Sequence, residues 1–236
     1  MKLTVVTVSH DYTAPNGIRL TERLQAATHR SHIRAERSGI IRDLFRGQTS
    51  RTGYALLLRN LLPAYRAMEL ALAALPANSP VAPGAWRDLA RAPALESDLA
   101  ALHGPGWETT LPLLPAARRY ATRVSQAARR SQAALAAHAY VRYFGDLSGG
   151  QVLRRVLSRS LGLPATMLAS HHFPGVADAG ATKQALRAAL EALCVTEAAE
   201  NTLLAEAVVA FRLNIAVSEA VALALPALTH SLETVV

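Results

Sequence analysis

The sequence predicts an all-α protein, a single-domain helical bundle. Apolar residues recur at three- and four-residue spacing in most segments, Ala, Leu, Arg and Glu dominate them, and no alternating β-branched run survives beyond the first eight residues. With 236 residues, 51% hydrophobic and 18% charged, the chain is long and apolar enough to bury one core without staples.

Residues 1–18 differ in composition and close on Pro15, Asn16 and Gly17, which suits an arm or short strand lying on the body, with the bundle over 19–236. Helical spacing then covers 20–37, 40–46 and 52–75. Pro76, Pro80 and Pro83 break the pattern before a stretch at 83–103 interrupted at Pro93. Gly104, Pro105 and Gly106 precede a helix at 111–130, followed by 131–161 and 164–170; Pro174 and Gly175 precede 180–193. The last helix, 196–225, starts at Thr196 with Glu197 in an acidic first turn. Glu200, Asn201 and Glu206 keep one face polar while Leu203, Val208, Phe211 and Ile215 turn inward. The apolar run 213–228 is short, carries Glu219 and Pro226, and lacks basic flanks, so it is expected to be a buried helix rather than a membrane span.

Several function classes recede on composition. The single Cys194 excludes a disulfide framework and a Cys-rich zinc site and suits a reducing compartment; its apolar helix-end context suggests core. The first fifteen residues lack a signal-peptide pattern, and a cytoplasmic protein with no membrane association is expected. The net charge of +8 invites nucleic acid or an acidic protein partner. The cations, however, are arginines dispersed along the chain, Lys2 and Lys183 excepted, and they form no phosphate-tracking stripe, so no nucleic acid is expected.

The most informative stretch is HAYVRYFGDLSGGQVL, 138–153. Helical spacing continues on both sides of Gly145, Gly149 and Gly150, at a cost of about 3 kcal/mol against alanine. Without a Cβ, this backbone can approach another flat body closely, either a neighbouring helix or a planar ligand. Tyr140, Arg142, Tyr143, Asp146, Ser148 and Gln151 surround the glycines. Asp146 lies four residues after Arg142, so the two can form a solvated ion pair, or the carboxylate can hold water for proton delivery to a bound oxygen species. Among the eight histidines, His29 and His32 share a helix at i,i+3. Imidazole suits iron, but spacing alone selects neither.

Together these residues resemble the heme oxygenase family over nearly the full chain. GDLSGGQ with HAYVRY before it is similar to the family's distal-helix signature, LQAATHRSHIRAE (24–36) to its proximal helix, and AFRLNIAVSE (210–219) to its late helix. The resemblance implies the family's bundle and oxygen-dependent opening of heme at one meso carbon, giving biliverdin, carbon monoxide and iron. Heme b would be both cofactor and substrate, with dioxygen and electrons from an external donor. Ferredoxin, flavodoxin or an NAD(P)H-dependent reductase is the implied partner, with a biliverdin acceptor protein as a further one. A non-catalytic heme storage or delivery protein on the same fold is the alternative.

Residue by residue, the resemblance makes His32 the iron ligand and Glu36 the carboxylate assisting its hydrogen bonding. Asp146 would organise distal water with Arg142, Tyr65 and Asn214. Gly145, Ser148, Gly149 and Gly150 would border the heme, Phe211 would be a pocket aromatic, and Lys183 and Arg187 would reach the propionates with Tyr140 nearby. The chain departs from better-known relatives at Gln25 and His29, where lysines are replaced, leaving Arg23 or His29 as substitute cations. Ser218 stands where some relatives carry a phenyl ring, which implies a more open or polar pocket there.

Overall fold

The computed structural model describes residues 19–82 and 86–233, with the backbone alone at Thr229 and 231–233. The expected arm over 1–18 lies outside the described residues. The helices are α1 (Leu20–Glu36), α2 (Gly39–Phe45), α3 (Arg51–Ala73), α4 (Ala92–His103), the single turn α5 (Trp107–Thr110), α6 (Pro115–Arg130), α7 (Gln132–Leu161), α8 (Ala179–Leu193) and α9 (Glu197–Glu233). Short 3-10 turns lie at Arg87–Leu89, Ala165–Met167 and Ala169–His171. The described residues contain no strand.

Helix ends follow local chemistry. Ser50 accepts from Gly53 N, Ser131 from Ala134 N, and Asp178 from Gly180 N and Ala181 N, each satisfying an orphan donor of a first turn. Proline moves two starts away from the expected positions. The stretch expected at 83–103 becomes a 3-10 turn and then α4, with Pro93 in its first turn, while 83–85 lie outside the described residues. The helix expected from 111 begins at Pro115, because a proline needs no amide partner at the first helical position. Residues 111–114 form a connector that buried Asn60 holds, donating to Pro112 O at 3.1 Å and accepting from Leu114 N at 2.8 Å. The segment expected at 164–170 forms two 3-10 turns rather than an α-helix.

α9 is the spine. It packs against α1, α2, α3, α6 and α7, and Leu203, Ala207, Ala210, Val217 and Val221 are buried along it. Its buried carboxylates are tied to the bundle: Glu200 pairs with Arg23, and Glu206 accepts from Arg123 at 2.8 and 2.5 Å and meets His138 Nε2 at 3.0 Å. The helix does not stop at 225. It continues through Pro226 to Glu233, with Leu225 and Leu228 packed against the core. Over 213–228 it is buried on one face only, since Leu223 is 84% exposed. By length and composition Glu197–Leu228 could cross a membrane. Within the bundle the same helix carries two paired, buried carboxylates, Glu200 and Glu206.

Candidate functional site

Between α1, α3, α7 and α9 lies a cavity of about 950 Å³, within the range of small-molecule and cofactor sites. α1 contributes Thr28, His29, His32 and Glu36, α7 contributes Tyr140, Arg142 and the segment from Phe144 to Gly150 except Leu147, and α9 contributes Phe211 and Asn214. The glycines distinguish the two readings of the motif. A Cβ built on Gly145 meets nothing within 4 Å, and one on Gly149 meets only Phe45 Cζ at 3.9 Å. These glycines therefore border open cavity rather than a tightly packed helix. Gly150 differs, because a Cβ there would lie 3.4 Å from His171 Nδ1.

On α1, His32 is 54% exposed and meets the Phe211 ring edge-on, centroids 5.9 Å apart. Glu36 approaches His32 Nε2 at 3.7 Å, beyond hydrogen-bond distance, so the expected orienting bond is not made here. His29 also lines the cavity and, like Arg19 and Gln25, is solvent-exposed. Of the two substitute cations, Arg23 is committed to the buried Glu200, which leaves His29. Arg187 lines the cavity with its guanidinium 5.5 Å from the centroid of Phe144, and the Tyr140 ring packs against Phe144 at a tilt, centroids 4.6 Å apart. Lys183 stands outside this lining and donates to Ser148 Oγ at 3.4 Å.

The polar residues of α7 join a network across three helices. Arg142 donates to the Tyr65 hydroxyl through Nε at 2.9 Å and Nη2 at 2.5 Å, and to Asn214 Oδ1 at 2.7 Å. Tyr65 donates onward to Asp146 Oδ2 at 2.5 Å, while Arg142 Nη2 reaches Oδ1 at 3.3 Å. The solvated-pair reading of Arg142 and Asp146 thus gives way to a partly buried network, with the Asp146 side chain 19% exposed. Burial pushes the Asp146 carboxyl above its usual range, opposed by the Arg142 charge and the Tyr65 hydrogen bond. Burial likewise holds the Tyr65 hydroxyl well up, so it stays protonated and donates.

Ser218 does not open the pocket. It is buried, donates to Ser38 O at 2.9 Å and accepts from Ile41 N at 3.1 Å, fastening the α1–α2 turn to α9. Sequence reasoning also missed Arg19, Tyr54, Arg91 and His171 in the lining. Their partners are distant in sequence and no local motif marks them. Buried Arg91 donates to Leu89 O at 3.1 Å, Ser170 O at 3.5 Å and His172 O, with its guanidinium 3.9 Å from the centroid of Phe173. Among the described residues no three His, Cys, Asp or Glu side chains cluster to hold a bare metal ion. An imidazole facing the open glycines of α7 suits an iron whose equatorial ligands come from a macrocycle.

Fold and site define an all-α protein with a slot between an imidazole-bearing helix and a glycine-walled one. The family model described as heme oxygenase matches residues 18–220. Human heme oxygenase 1 is 38% identical over 203 residues, 85% of this chain and 70% of its own length. The heme oxygenase 1 of the cyanobacterium Synechocystis is 31% identical over 197 residues, 84% and 82% of the two chains. The crystal structure of heme oxygenase-1 from Synechocystis in complex with heme matches with TM-score 0.81 at 28% identity, covering 92% of this chain and 97% of that one. The structure of heme oxygenase from Leptospira interrogans matches at 0.79 and 32% identity, covering 86% and 99%. The chain belongs to the heme oxygenase family.

Proposed function

We propose that the heme cleavage assigned to this chain by its family is divided between an α1 ligand and a proton-handling network on α3, α7 and α9. Heme supplies the iron that activates oxygen and the macrocycle that is opened to biliverdin. His32 would hold the iron, with Phe211 edge-on against its ring. Arg187 lines the cavity and Lys183 stands beside Ser148, and these two cations take the propionates with Tyr140 alongside. The bare main chain at Gly145 and Gly149, with Gly150 next to them, would leave room for the macrocycle against α7.

Asp146 positions water. Tyr65 and Arg142 occupy one side of each carboxylate oxygen, and Asn214 fixes Arg142, so the remaining acceptor capacity is directed by protein groups that do not need to reorganise. A carboxyl raised by burial shares protons with such water more readily than an exposed one. Electrons come from an acidic donor, ferredoxin, flavodoxin or an NAD(P)H-dependent reductase, that the +8 chain attracts, and biliverdin leaves to an acceptor protein. The buried, unpaired Cys194 fits a cytoplasmic setting.

The observation that carries this reading is the open face at Gly145 and Gly149 on the cavity that also holds His32 and Asp146. Its test is a hemin titration followed by turnover with reduced ferredoxin or ascorbate, with products separated by chromatography. Wild type is expected to yield biliverdin; a Soret band that merely persists under reductant would identify a storage or delivery protein. Asp146→Ala should keep hemin uptake and lose at least about tenfold in biliverdin yield, and an unchanged yield removes Asp146 from the chemistry. His32→Ala should lose the histidine-ligand spectrum, whose persistence would move the ligand to His29.

A further inference from the structure

Beside Gly150 the cavity is lined by a second polar cluster that the network around Asp146 does not include. His171 lines the cavity there, its Nε2 3.1 Å from the Tyr54 hydroxyl and its ring stacked on Tyr54 at 6.2 Å. Its backbone is held from several sides. Arg91 binds the carbonyls on either side of it, Ser170 O and His172 O, and Gln151 Nε2 donates to His171 O at 2.9 Å. Asp98, with no exposed surface, accepts from Ala169 N at 2.7 Å and Ser170 N at 2.8 Å. An imidazole on a 3-10 turn is thus immobilised by three side chains from α7 and the start and body of α4.

This much restraint leaves two polar atoms unused. Among the described residues no protein group hydrogen-bonds His171 Nδ1, which lies nearest to where a Gly150 side chain would be. Ser170 Oγ, in a cavity-lining residue only 7% exposed, makes no hydrogen bond of good geometry although Asp98 and Tyr54 are close. Buried polar atoms are normally satisfied, and a polar recess with several such partners is where ordered water sits. Gly150 is four residues from Asp146, so the two share one face of α7 with their backbones about 6 Å apart along its axis.

We propose that His171 is a positioning residue for the distal solvent: oriented by Tyr54, its Nδ1 holds a water beside Gly150, so that the water organised by Asp146 is anchored at two points rather than one. A ring kept neutral by burial, its pKa brought down to about 4, can donate from one nitrogen while accepting at the other. The proposal rests on the heme-binding reading of the cavity but not on turnover.

The test uses the hemin complex with azide as a small distal probe, read by its infrared stretch and its dissociation constant. His171→Phe should shift the azide band and weaken azide about three- to tenfold, the effect of one lost hydrogen bond in a partly dry site. His171→Asn restores a polar atom near Nδ1 and should return both readings toward wild type. His171→Gln keeps reach toward Tyr54 but leaves Nδ1 unreplaced and should not. A merely structural role would lower thermal stability in all three and leave the band in place. Identical bands in wild type and His171→Phe, or equal behaviour of Asn and Gln, overturn the proposal. A wild type that binds hemin and azide but makes no biliverdin overturns the turnover reading alone, and one that takes up no hemin overturns both.

Discussion

Gly149 separates the needs of the fold from those of the ligand. Because a Cβ there has no neighbour closer than 3.9 Å, Gly149→Leu should fold and melt close to wild type while hemin affinity falls by about tenfold or more, as the new side chain occupies the slot; unchanged affinity in a hemin titration would show that the ring plane lies elsewhere. At this scale the motif 138–153 was readable because it breaks a local rule, placing three helix-weakening residues among polar ones. Tyr65, Arg142, Asp146 and Asn214 were placed by resemblance, and they do converge. The His171–Tyr54 pair spans 117 positions and carries no local signature. Arg23 and Ser218 were misjudged for the same reason: their partners, Glu200 for one and Ser38 with Ile41 for the other, are tertiary.

Helices and their junctions were legible to the extent that capping and proline chemistry is local. The α1–α2 turn was located to within a residue, but not the tertiary contact that holds it. Gly39 has φ +53°, and a Cβ there would sit 2.4 Å from Ser218 backbone C and O, a distance that no side-chain adjustment relieves. Gly39→Ala should therefore destabilise the protein by at least about 2 kcal/mol, combining left-handed strain with a backbone clash, measured as a lowered midpoint in urea; an unchanged midpoint would mean that α2 moves freely against α9. Pro226 errs in the other direction. Sequence reasoning ends the helix before it, but packing of Leu225 and Leu228 on the core outweighs the lost hydrogen bond, and α9 runs on to Glu233.

The whole molecule should be acid-sensitive in two separable steps. Burial pushes Glu206 up, but hydrogen bonds from His138 and Arg123 outweigh it and bring the carboxyl down to about 2 from an ordinary 4.5. Its contribution is complete above 4.5 and is lost as pH falls toward 2, so Glu206→Gln should flatten the stability profile in that window. His171 is lowered by burial to about 4 from 6.5, so the unfolded chain takes up a proton in that interval that the fold refuses. Stability drops as pH falls from 6.5 to 4, and His171→Phe should remove this earlier step from thermal melts. The net charge of +8 predicts that reduction by an acidic donor slows as ionic strength rises, with hemin affinity less affected; a salt-independent rate would point to an uncharged docking face. One rod sets the gauge of the slot. Phe211 leans on the His32 ring and Asn214, a single turn later, grips Arg142, so the spacing between the two jaws is written into the pitch of α9 rather than into the lengths of connecting loops. Loop lengths can then drift among related chains without detuning the clamp, whereas one residue inserted between Glu206 and Phe211 would swing both grips about 100° out of true.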